Sequence, residues 1–362
     1  MLYDFRSFVN PGHYAFGKGN LKHLGELIDR RKNETNDWTV FMIDHFFQDK
    51  KETLDRLPIG EKDLVFFIDT KDEPKTTLVN SYRDQILAHQ STLPAVVVGM
   101  GGGTTMDYAK ATGLMVTNPG DSKDYQGLDK IKNEGIYTIV IPTVSGTGAE
   151  VSMTAVLSGP EKKLGIKCDY TIPNEVLFDP ELLATVSDED RFFTGMDNYI
   201  HNVESLNGTW ITSMGKAFAE KSNEICVDVF MNKYPDRLEA DEKMMVASLM
   251  GGNSITYAQV GVCHAMSYGL AVILGTHHGV ANCIAFNQLE KYYPEGYKQF
   301  KEMQAFQGVE IPTGITAECT EEQFDQMVEV AWANEHMWNN AFGPDWENHI
   351  SKAELKEIYT RM

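Results

Sequence analysis

The first half of the chain alternates short apolar segments with longer polar segments, and this alternation is the strongest constraint on its fold. The apolar segments are rich in β-branched and aromatic residues, and they lie at residues 38–44, 64–69, 94–100 and 137–143. The polar segment TLVNSYRDQILAH, at residues 77–89, is compatible with a helix. Buried strands that alternate with helices are typical of a parallel sheet covered on both faces. We therefore predict an α/β domain at residues 1–180.

The second half of the chain differs, because strand-like segments disappear after about Asp188. Long helical patterns replace them, and residues 242–275 have the apolar density of deeply buried helices. The segment VLFDPEL, at residues 176–182, marks the change, and no Ser/Gly-rich linker accompanies it. We predict an all-α domain at residues 181–362.

Composition and charge exclude several classes of protein. Hydrophobic residues make up 42% of the 362 residues, so the chain can bury a large core and is not disordered. The formal net charge is −20, which repels phosphates. We therefore expect neither nucleic acid nor an anionic membrane as a partner.

The cysteines and the N-terminal sequence predict a cytoplasmic protein. Five cysteines without CxxC spacing are typical of reduced, ordinary buried thiols. The N-terminal sequence MLYDFRSFVNPG has no basic region followed by an apolar stretch, so it does not resemble a signal peptide. No apolar run approaches the roughly 20 residues that span a bilayer.

A glycine-rich turn follows the third apolar segment. Gly101, Gly102 and Gly103 carry no side chains, so backbone N–H groups can approach a pyrophosphate at the start of the next helix. Thr104 and Thr105 add hydroxyl groups and can cap that helix. The turn departs from the GxGxxG fingerprint at Thr104, and it follows the third strand rather than the first. By itself it fits a tight structural turn as well as a phosphate site.

Two further features favour a dinucleotide site. Asp44 ends the first predicted strand, where its carboxylate can accept hydrogen bonds from a ribose 2′-hydroxyl or can cap a helix. A second turn, PTVSGTGAEVS at residues 142–152, follows the fourth predicted strand and is also rich in glycine and threonine. Two such turns after neighbouring strands favour a dinucleotide site more strongly than either turn alone.

An aspartate and a histidine form the first part of a candidate metal site. Asp197 and His201 are four residues apart in a segment that Ser187 can cap as a helix. Their side chains would then lie on one face of the helix. Such a pair can share a divalent cation, although a surface Asp–His pair has the same spacing.

Three more histidines occur in CHAMSYGLAVILGTHHG, at residues 263–279. His264 lies in a strongly apolar helical segment, where a hydrogen bond in the core is the alternative to a metal. We expect Gly275 to end that helix, which places His277 and His278 in the following turn. Together with the Asp–His pair, these histidines favour a metal over separate structural roles.

Five ordered motifs resemble those of the iron-containing (group III) alcohol dehydrogenase family, and the resemblance covers nearly the whole chain. GGGTTMDYAK resembles the family's GGGSxxDxAK, and IPTVSGTGAEVS resembles its IPTTAGTGSEVT. VLFDPEL and TGMDNYIHNVES follow in the family's order. GVCHAMSYGLAVILGTHHGVAN resembles the last motif, GxxHAMAHPLGAxxxxPHGxAN. The resemblance implies a dehydroquinate synthase-like architecture, in which a dinucleotide-binding α/β domain precedes a helical metal domain, and it implies a homodimer.

The resemblance also implies a set of site residues, carried over by position. The metal ligands would be Asp197, His201, His264 and His278, for Fe²⁺, Zn²⁺ or Mn²⁺. The NAD contacts would come from Asp44, Gly102, Gly103, Thr104, Thr105, Thr143, Val144, Thr147, Lys163 and Leu182. Among these, Asp44 would favour NAD because it repels a 2′-phosphate, and Lys163 would reach the cofactor ribose.

The chain departs from the family pattern beside the expected substrate position. Tyr268 replaces the second histidine of HAMAHP, and His277 replaces the proline before the last metal ligand. Because tyrosine has a reference pKa of about 10, it is a poor base at neutral pH, and the family's usual proton route is in question. We predict that Tyr268 and His277 act in catalysis, through substrate binding and proton transfer, rather than in metal binding.

The leading interpretation is a metal-dependent oxidoreductase that oxidises a primary alcohol to an aldehyde and transfers hydride to NAD. Within the family, the chain most resembles the 3-deoxy-D-manno-octulosonate (Kdo) 8-oxidases. These enzymes oxidise the C8 hydroxyl of a sugar acid to an aldehyde, which a PLP-dependent aminotransferase then aminates for lipopolysaccharide biosynthesis. Polar groups at Tyr268 and His277 suit such a substrate, because unpaired against an apolar alcohol they would cost roughly 1–3 kcal/mol each.

Other interpretations stay open at this point. A simple alcohol or diol dehydrogenase of the same family would carry the same motifs. A dehydroquinate-synthase-like lyase would use NAD transiently, but residues 195–285 have few of the Lys and Arg residues that hold phosphorylated substrates. A noncatalytic metal- or nucleotide-binding protein is a further alternative that no sequence feature favours.

Overall fold

The computed structural model describes residues 9–160 and 163–362. Most of the sequence that bears on a signal peptide, residues 1–8, lies outside this range. The chain divides into two compact units, of which one contains Met1–Val144 and Ala149–Thr185 and the other contains Ser145–Gly148 and Val186–Met362. The domains predicted at 1–180 and 181–362 differ from this division at residues 145–148 and 181–185.

The first unit contains two β-sheets. Its strands are β1 (His13–Phe16), β2 (Thr39–Asp44), β3 (Leu64–Ile68), β4 (Val96–Gly101), β5 (Gly127–Leu128), β6 (Thr138–Pro142), β7 (Thr154–Ser158), β8 (Lys163–Lys167) and β9 (Glu175–Phe178). The larger sheet has the order β1-β9-β6-β4-β2-β3, and all its neighbouring strands are parallel. The smaller sheet has the order β5-β8-β7. The predicted parallel sheet is therefore confirmed.

The central strands of the larger sheet are buried on both faces. All residues of β4 and β6 are buried, and so are the first five residues of β2. Their β-branched and aromatic side chains suit a strand that is covered on both sides. The smaller sheet was not predicted, because β7 alternates buried and half-buried side chains over only five residues and pairs antiparallel with β8.

Helices account for the rest of the regular structure. In the first unit they are α1 (Leu24–Asp29), α2 (Lys51–Leu54), α3 (Thr76–His89) and α4 (Gly103–Thr117). In the second unit they are α5 (Asp188–Asn207), α6 (Ser213–Met231), α7 (Arg237–Ala258), α8 (Val262–Leu274), α9 (His278–Phe286), α10 (Pro294–Gln307), α11 (Glu321–Trp332), α12 (Glu335–Phe342) and α13 (Lys352–Tyr359). No strand occurs among the described residues after Phe178, so the prediction of a helical second half is confirmed.

The apolar segment at residues 242–275 forms parts of α7 and α8, with a break at residues 259–261. Gly275 ends α8 in the left-handed conformation (φ 69°), as predicted. His278, however, is the first residue of α9 rather than part of a turn. Among the described residues, no single helix has the length and hydropathy to cross a membrane, and only α7 and α8 taken together, at a bend of 101°, meet that test.

Gly99→Ala should destabilise the first unit, because β4 and α4 approach closely at this glycine. A Cβ atom at Gly99 would lie 2.6 Å from the Cβ atom of Ala109, and both positions are buried. We expect a loss of about 1–3 kcal/mol in the free energy of unfolding, measured in urea. Gly25→Ala is the control, because its Cβ atom would meet Pro58 at an ordinary 3.4 Å. A Gly99→Ala protein as stable as the wild type would contradict the packing described here.

Candidate active site

The four candidate metal ligands lie on three helices of the second unit. Asp197 and His201 belong to α5, His264 lies in the first turn of α8, and His278 begins α9. α5 starts where the sequence predicted, because the Ser187 hydroxyl accepts the N–H of Asp190 at 3.0 Å. Acidic residues fill the first turn of α5, where they interact favourably with the helix dipole.

Buried polar contacts set the rotation of α5 about its axis. Asn198 and Asn202, each one residue after a ligand, donate side-chain N–H groups to the Ser222 hydroxyl of α6 at 2.9 Å and 2.8 Å. The Ser222 hydroxyl in turn donates to the carbonyl of Ala247 in α7 at 2.7 Å. Because these asparagines are anchored, the neighbouring side chains of Asp197 and His201 point in one defined direction.

The donor atoms of the four ligands converge. Asp197 Oδ1 lies 3.5 Å from Nε2 of His201 and 3.4 Å from Nε2 of His264. It lies 3.7 Å from Nε2 of His278, and the four donor atoms are all within 4.8 Å of one another. Four ligands arranged tetrahedrally at about 2.1 Å from a metal are about 3.4 Å apart. The residues therefore fit one divalent cation.

Asn282 gives independent support for this fit. Its side-chain N–H donates to Asp197 Oδ1 at 2.6 Å, and the same nitrogen lies 3.1 Å and 3.2 Å from Nε2 of His264 and His278. Donor atoms of three candidate ligands thus lie around a single electropositive group. A cation requires the same arrangement.

Burial and charge set the protonation of the ligands. Burial lowers the pKa of His201 to about 3, so this imidazole is neutral at pH 7. Burial would raise the pKa of Asp197, but the surrounding imidazoles hold that pKa well below its ordinary value. Burial would lower the pKa of His264, but the Glu204 and Asp197 carboxylates raise it to about 9, so a cation that binds Nε2 displaces a proton. Asp197 is therefore ionised, as a metal ligand must be.

In the first unit, predicted coenzyme residues lie along one edge of the larger sheet. The parallel strands β2, β4 and β6 are neighbours, and Asp44, Gly102 and Thr143 lie at or just after their carboxyl ends. The chain goes from β2 to β3 on one side, and then crosses to β4 on the other side of β2. Ligands of open α/β sheets bind at such a topological switch point.

The glycine turn leaves its backbone accessible. α4 begins at Gly103, and no side chain of the described residues caps it, so the expectation that Thr104 or Thr105 is the cap was wrong. Both threonines lie inside the first turn, whose N–H groups have no partner within the helix and can bind a phosphate. The Thr105 hydroxyl is buried and has no hydrogen-bond partner among the described residues. A Cβ atom at Gly102 would lie 3.2 Å from the Val144 side chain, so the two predicted coenzyme turns pack together.

Asp44 caps a helical turn, which is one of the two roles that the sequence allowed for it. Its Oδ1 atom accepts the N–H of Phe46 at 3.0 Å and caps a short 3₁₀ turn after β2. Burial raises the pKa of this carboxyl. A carboxylate has several acceptor sites, so the cap and a hydrogen bond from a ribose hydroxyl are compatible.

Two predicted coenzyme residues lie away from the glycine turn along the chain. Lys163 belongs to β8 of the smaller sheet, and its ammonium group forms an ion pair with Glu73 at 2.9 Å. Leu182 is buried in a 3₁₀ turn after β9, which is the strand next to β6. The structure therefore places Leu182 at the carboxyl edge of the larger sheet and Lys163 on a different sheet.

Thr147 belongs to a loop whose glycines serve packing inside the second unit. The Ser248 hydroxyl accepts the N–H groups of Gly146 at 2.9 Å and of Gly148 at 3.3 Å. Gly146 has a φ of 142°, and a Cβ atom there would lie 1.7 Å from the carbonyl oxygen of Thr194. The glycines of this turn are thus required for packing, whatever their role toward the coenzyme.

The two predicted catalytic residues have different environments. Tyr268 lies on α8, one turn after His264, and its half-buried ring is 6.1 Å from the ring of His278 between centroids. His277 precedes α9 and is exposed. The structure therefore brings Tyr268 beside the candidate ligands, whereas His277 faces solvent at the start of the helix.

Two residues that the sequence did not single out contact the ligands. Glu204 accepts a hydrogen bond from Nδ1 of His264, and Asn282 donates to Asp197. Their spacing contained a signal, because Glu204 is three residues after His201 and Asn282 is four residues after His278. Each therefore lies on the same helix face as a ligand, and each is a buried polar residue that needs a partner.

His264→Ala and His278→Ala should each abolish metal binding and turnover while the helices stay folded, because each variant removes one of four convergent donors. Metal content per chain is measured by elemental analysis after dialysis, and folding by circular dichroism. His277→Ala is a matched control that removes an exposed imidazole next to a ligand and should keep the metal. Unchanged metal content in both ligand variants would refute the ligand assignment.

Known proteins share both the motifs and the fold of this chain. Residues 11–180 match the sequence model "Iron-containing alcohol dehydrogenase", and residues 192–343 match "Fe-containing alcohol dehydrogenase family, C-terminal". Alcohol dehydrogenase 4 of Schizosaccharomyces pombe is 28% identical over 297 residues, covering 79% of this chain and 68% of that protein. The NAD-dependent methanol dehydrogenase of Bacillus methanolicus is 26% identical over 299 residues, covering 79% of this chain and 77% of that protein.

A solved structure of 1,3-propanediol oxidoreductase has the same fold, with a TM-score of 0.83, 21% identity and coverage of 98% of both chains. The first family match covers most of the α/β unit, and the second lies in the helical unit, which contains the four residues that could hold a metal ion. The chain therefore belongs to the iron-containing alcohol dehydrogenase family, whose members are NAD-dependent oxidoreductases that use a divalent metal.

Proposed function

We propose that this enzyme oxidises the primary hydroxyl of a polar substrate to an aldehyde, that the substrate is a sugar acid, and that this acid is Kdo, oxidised at C8. The observation that carries the proposal is the half-buried phenol of Tyr268 beside the ring of His278. A hydroxylated substrate offers partners to such a polar group, whereas a small apolar alcohol does not. The exposed imidazole of His277 can donate a hydrogen bond to a substrate carboxylate.

A second candidate is a small-alcohol or diol dehydrogenase. The similarity to a methanol dehydrogenase and to the structure of 1,3-propanediol oxidoreductase favours this alternative. Both candidate functions oxidise an alcohol with the same chemistry, and they differ in the rest of the substrate molecule around the reacting hydroxyl. Homodimer formation and a cytoplasmic location accompany the proposal and stay predictions.

In the proposed mechanism, residues of the helical unit would hold the metal and residues of the α/β unit would bind NAD. Asp197, His201, His264 and His278 would hold the metal, which when bound supplies a Lewis acid that lowers the pKa of the substrate hydroxyl, while NAD supplies the hydride acceptor. Burial keeps His201 neutral, as an imidazole that binds a metal must be. The first turn of α4 would bind the pyrophosphate through backbone N–H groups. Tyr268 would donate a hydrogen bond from its hydroxyl to a substrate oxygen.

Asp44 should make the enzyme prefer NAD to NADP, because its carboxylate repels a 2′-phosphate. Asp44→Gly and Asp44→Asn should both reduce the ratio of kcat/KM for NAD to that for NADP by about tenfold or more, which corresponds to about 1.4 kcal/mol. The asparagine variant keeps a side chain that can cap the 3₁₀ turn at Phe46, so it isolates the effect of the charge. Equal kcat/KM for both cofactors in the wild type would contradict this role.

Tyr268→Phe should lose activity by about tenfold while it keeps its metal, because the variant removes a hydrogen-bond donor to the substrate and no ligand. Metal content and the pH profile of kcat are measured together. Tyr359→Phe is the control, since its hydroxyl donates to the carbonyl of Met266 in the core at 2.7 Å and serves packing. Full activity with an unchanged pH profile would remove Tyr268 from the mechanism.

The metal-loaded enzyme should oxidise Kdo, with NADH formed in stoichiometric amounts when an aldehyde trap is present. The trap is required because an aldehyde product otherwise drives the reaction back. Methanol, ethanol, butanol, 1,2-propanediol and glycerol form the comparison panel. Efficient oxidation of the small alcohols without oxidation of Kdo would favour the second candidate, and turnover without net NADH would instead indicate lyase chemistry.

A further inference from the structure

A second buried carboxylate lies directly behind the ligand set. Glu204 belongs to α5, three residues after His201, and its side chain is fully buried. Its Oε2 atom accepts the Nδ1–H of His264 at 2.5 Å. Its Oε1 atom accepts the backbone N–H of Cys263 at 2.5 Å and the hydroxyl of Tyr293 at 3.3 Å. One carboxylate thus satisfies three donors.

This arrangement requires hydrogen-bond acceptors on both oxygens of Glu204. A glutamine at the position of Glu204 would place an NH₂ group against either the ring N–H of His264 or the N–H of Cys263, and both of these groups are donors. When His264 is neutral, acceptance at Nδ1 also selects the tautomer in which the lone pair is on Nε2. That atom is the one that lies 3.4 Å from Asp197 Oδ1.

Glu204 also connects two of the helices that carry ligands. It belongs to α5 together with Asp197 and His201, and both of its oxygens contact residues in the first turn of α8. The other buried imidazole of the set differs, because Nδ1 of His201 has no hydrogen-bond partner among the described residues.

We propose that Glu204 is a positioning residue of the metal centre, which orients the imidazole of His264 and raises the affinity of the site for a divalent cation. This proposal rests on the metal site of the proposed function. Carboxylates that accept a hydrogen bond from a metal-bound histidine orient the ring and increase its basicity. Glu204 acts through His264 and does not touch the metal.

The test is Glu204→Gln in the full-length protein, with affinity for Zn²⁺ measured by competition with a chromophoric chelator. We expect an affinity lower by about 10- to 100-fold, which is the usual effect of losing such a partner. The visible spectrum of the Co²⁺-loaded variant should also change, because the ligand field depends on the orientation of His264. Neither measurement depends on turnover.

Asp241→Asn is the matched control for a buried charge in the same helical unit. Asp241 is as deeply buried as Glu204, but it forms ion pairs with Arg191 at 2.7 Å and with Arg237 at 3.7 Å, and none of its described contacts involves a ligand. We expect this variant to lower the melting temperature without changing the Zn²⁺ affinity or the Co²⁺ spectrum. An equal loss of affinity in both variants would show that general destabilisation is the cause and would overturn the proposal.

Tyr293→Phe tests the same role if Glu204→Gln does not fold. It removes one donor to Glu204 and keeps the aromatic ring, which stacks on Phe286 with the centroids 5.8 Å apart. We expect a Zn²⁺ affinity lower by about threefold, as for one hydrogen bond. Tyr199→Phe is its control, because that buried hydroxyl donates to Gln299 at 2.8 Å instead.

Two outcomes separate this inference from the assignment of the site. If the wild type and His278→Ala bind Zn²⁺ equally, the metal site itself is wrong. If the wild type binds Zn²⁺, His278→Ala does not, and Glu204→Gln matches the wild type in affinity and Co²⁺ spectrum, only the role of Glu204 is wrong. If Glu204→Gln does not fold, an unchanged Zn²⁺ affinity of Tyr293→Phe overturns the proposal.

Discussion

The convergence of one carboxylate and three imidazoles in a buried space is the interaction on which the helical unit depends. Bringing Asp197, His201 and His264 within hydrogen-bonding range of one another would be unfavourable without a cation or protons to offset their crowding. The helices therefore have to be held by other contacts. Those contacts are the polar anchor of α5 on Ser222 and the carboxylate of Glu204 against α8.

In the α/β unit, the proposed site is built from backbone groups rather than from buried charged side chains. A pyrophosphate needs backbone donors and space, and both follow from glycines at the carboxyl ends of adjacent parallel strands. Gly99 lets α4 pack against β4, and Gly102 lets the two turns touch. The proposed selectivity for the coenzyme needs only a charge at the neighbouring strand end, where Asp44 caps the following turn. This residue would then have a recognition role besides its structural one.

The differences from the family motif lie next to the candidate ligand positions rather than at them. All four ligand residues match the family's residue types, whereas Tyr268 and His277 differ beside them. In the proposed function, this pattern would keep the metal-dependent oxidation and change the groups that meet the rest of the substrate. The ring of Tyr268, 6.1 Å from that of His278, is such a difference beside the candidate ligands.

The local sequence pattern was enough to predict several strands and helix ends of this protein, because strand and helix periodicity are properties of short segments. The strands at β2, β3, β4 and β6, the cap at Ser187 and the helix end at Gly275 could all be predicted from the residues themselves. The spacing of Asp197 and His201 is equally local. The family resemblance implied that His264 and His278 join them, and the tertiary structure places their Nε2 atoms 3.4 Å and 3.7 Å from Asp197 Oδ1. Only the tertiary structure decided that Glu204 binds His264 across 60 residues and that Lys163 pairs with Glu73. Such contacts depend on how helices and sheets pack, and the period of a single segment does not contain that information.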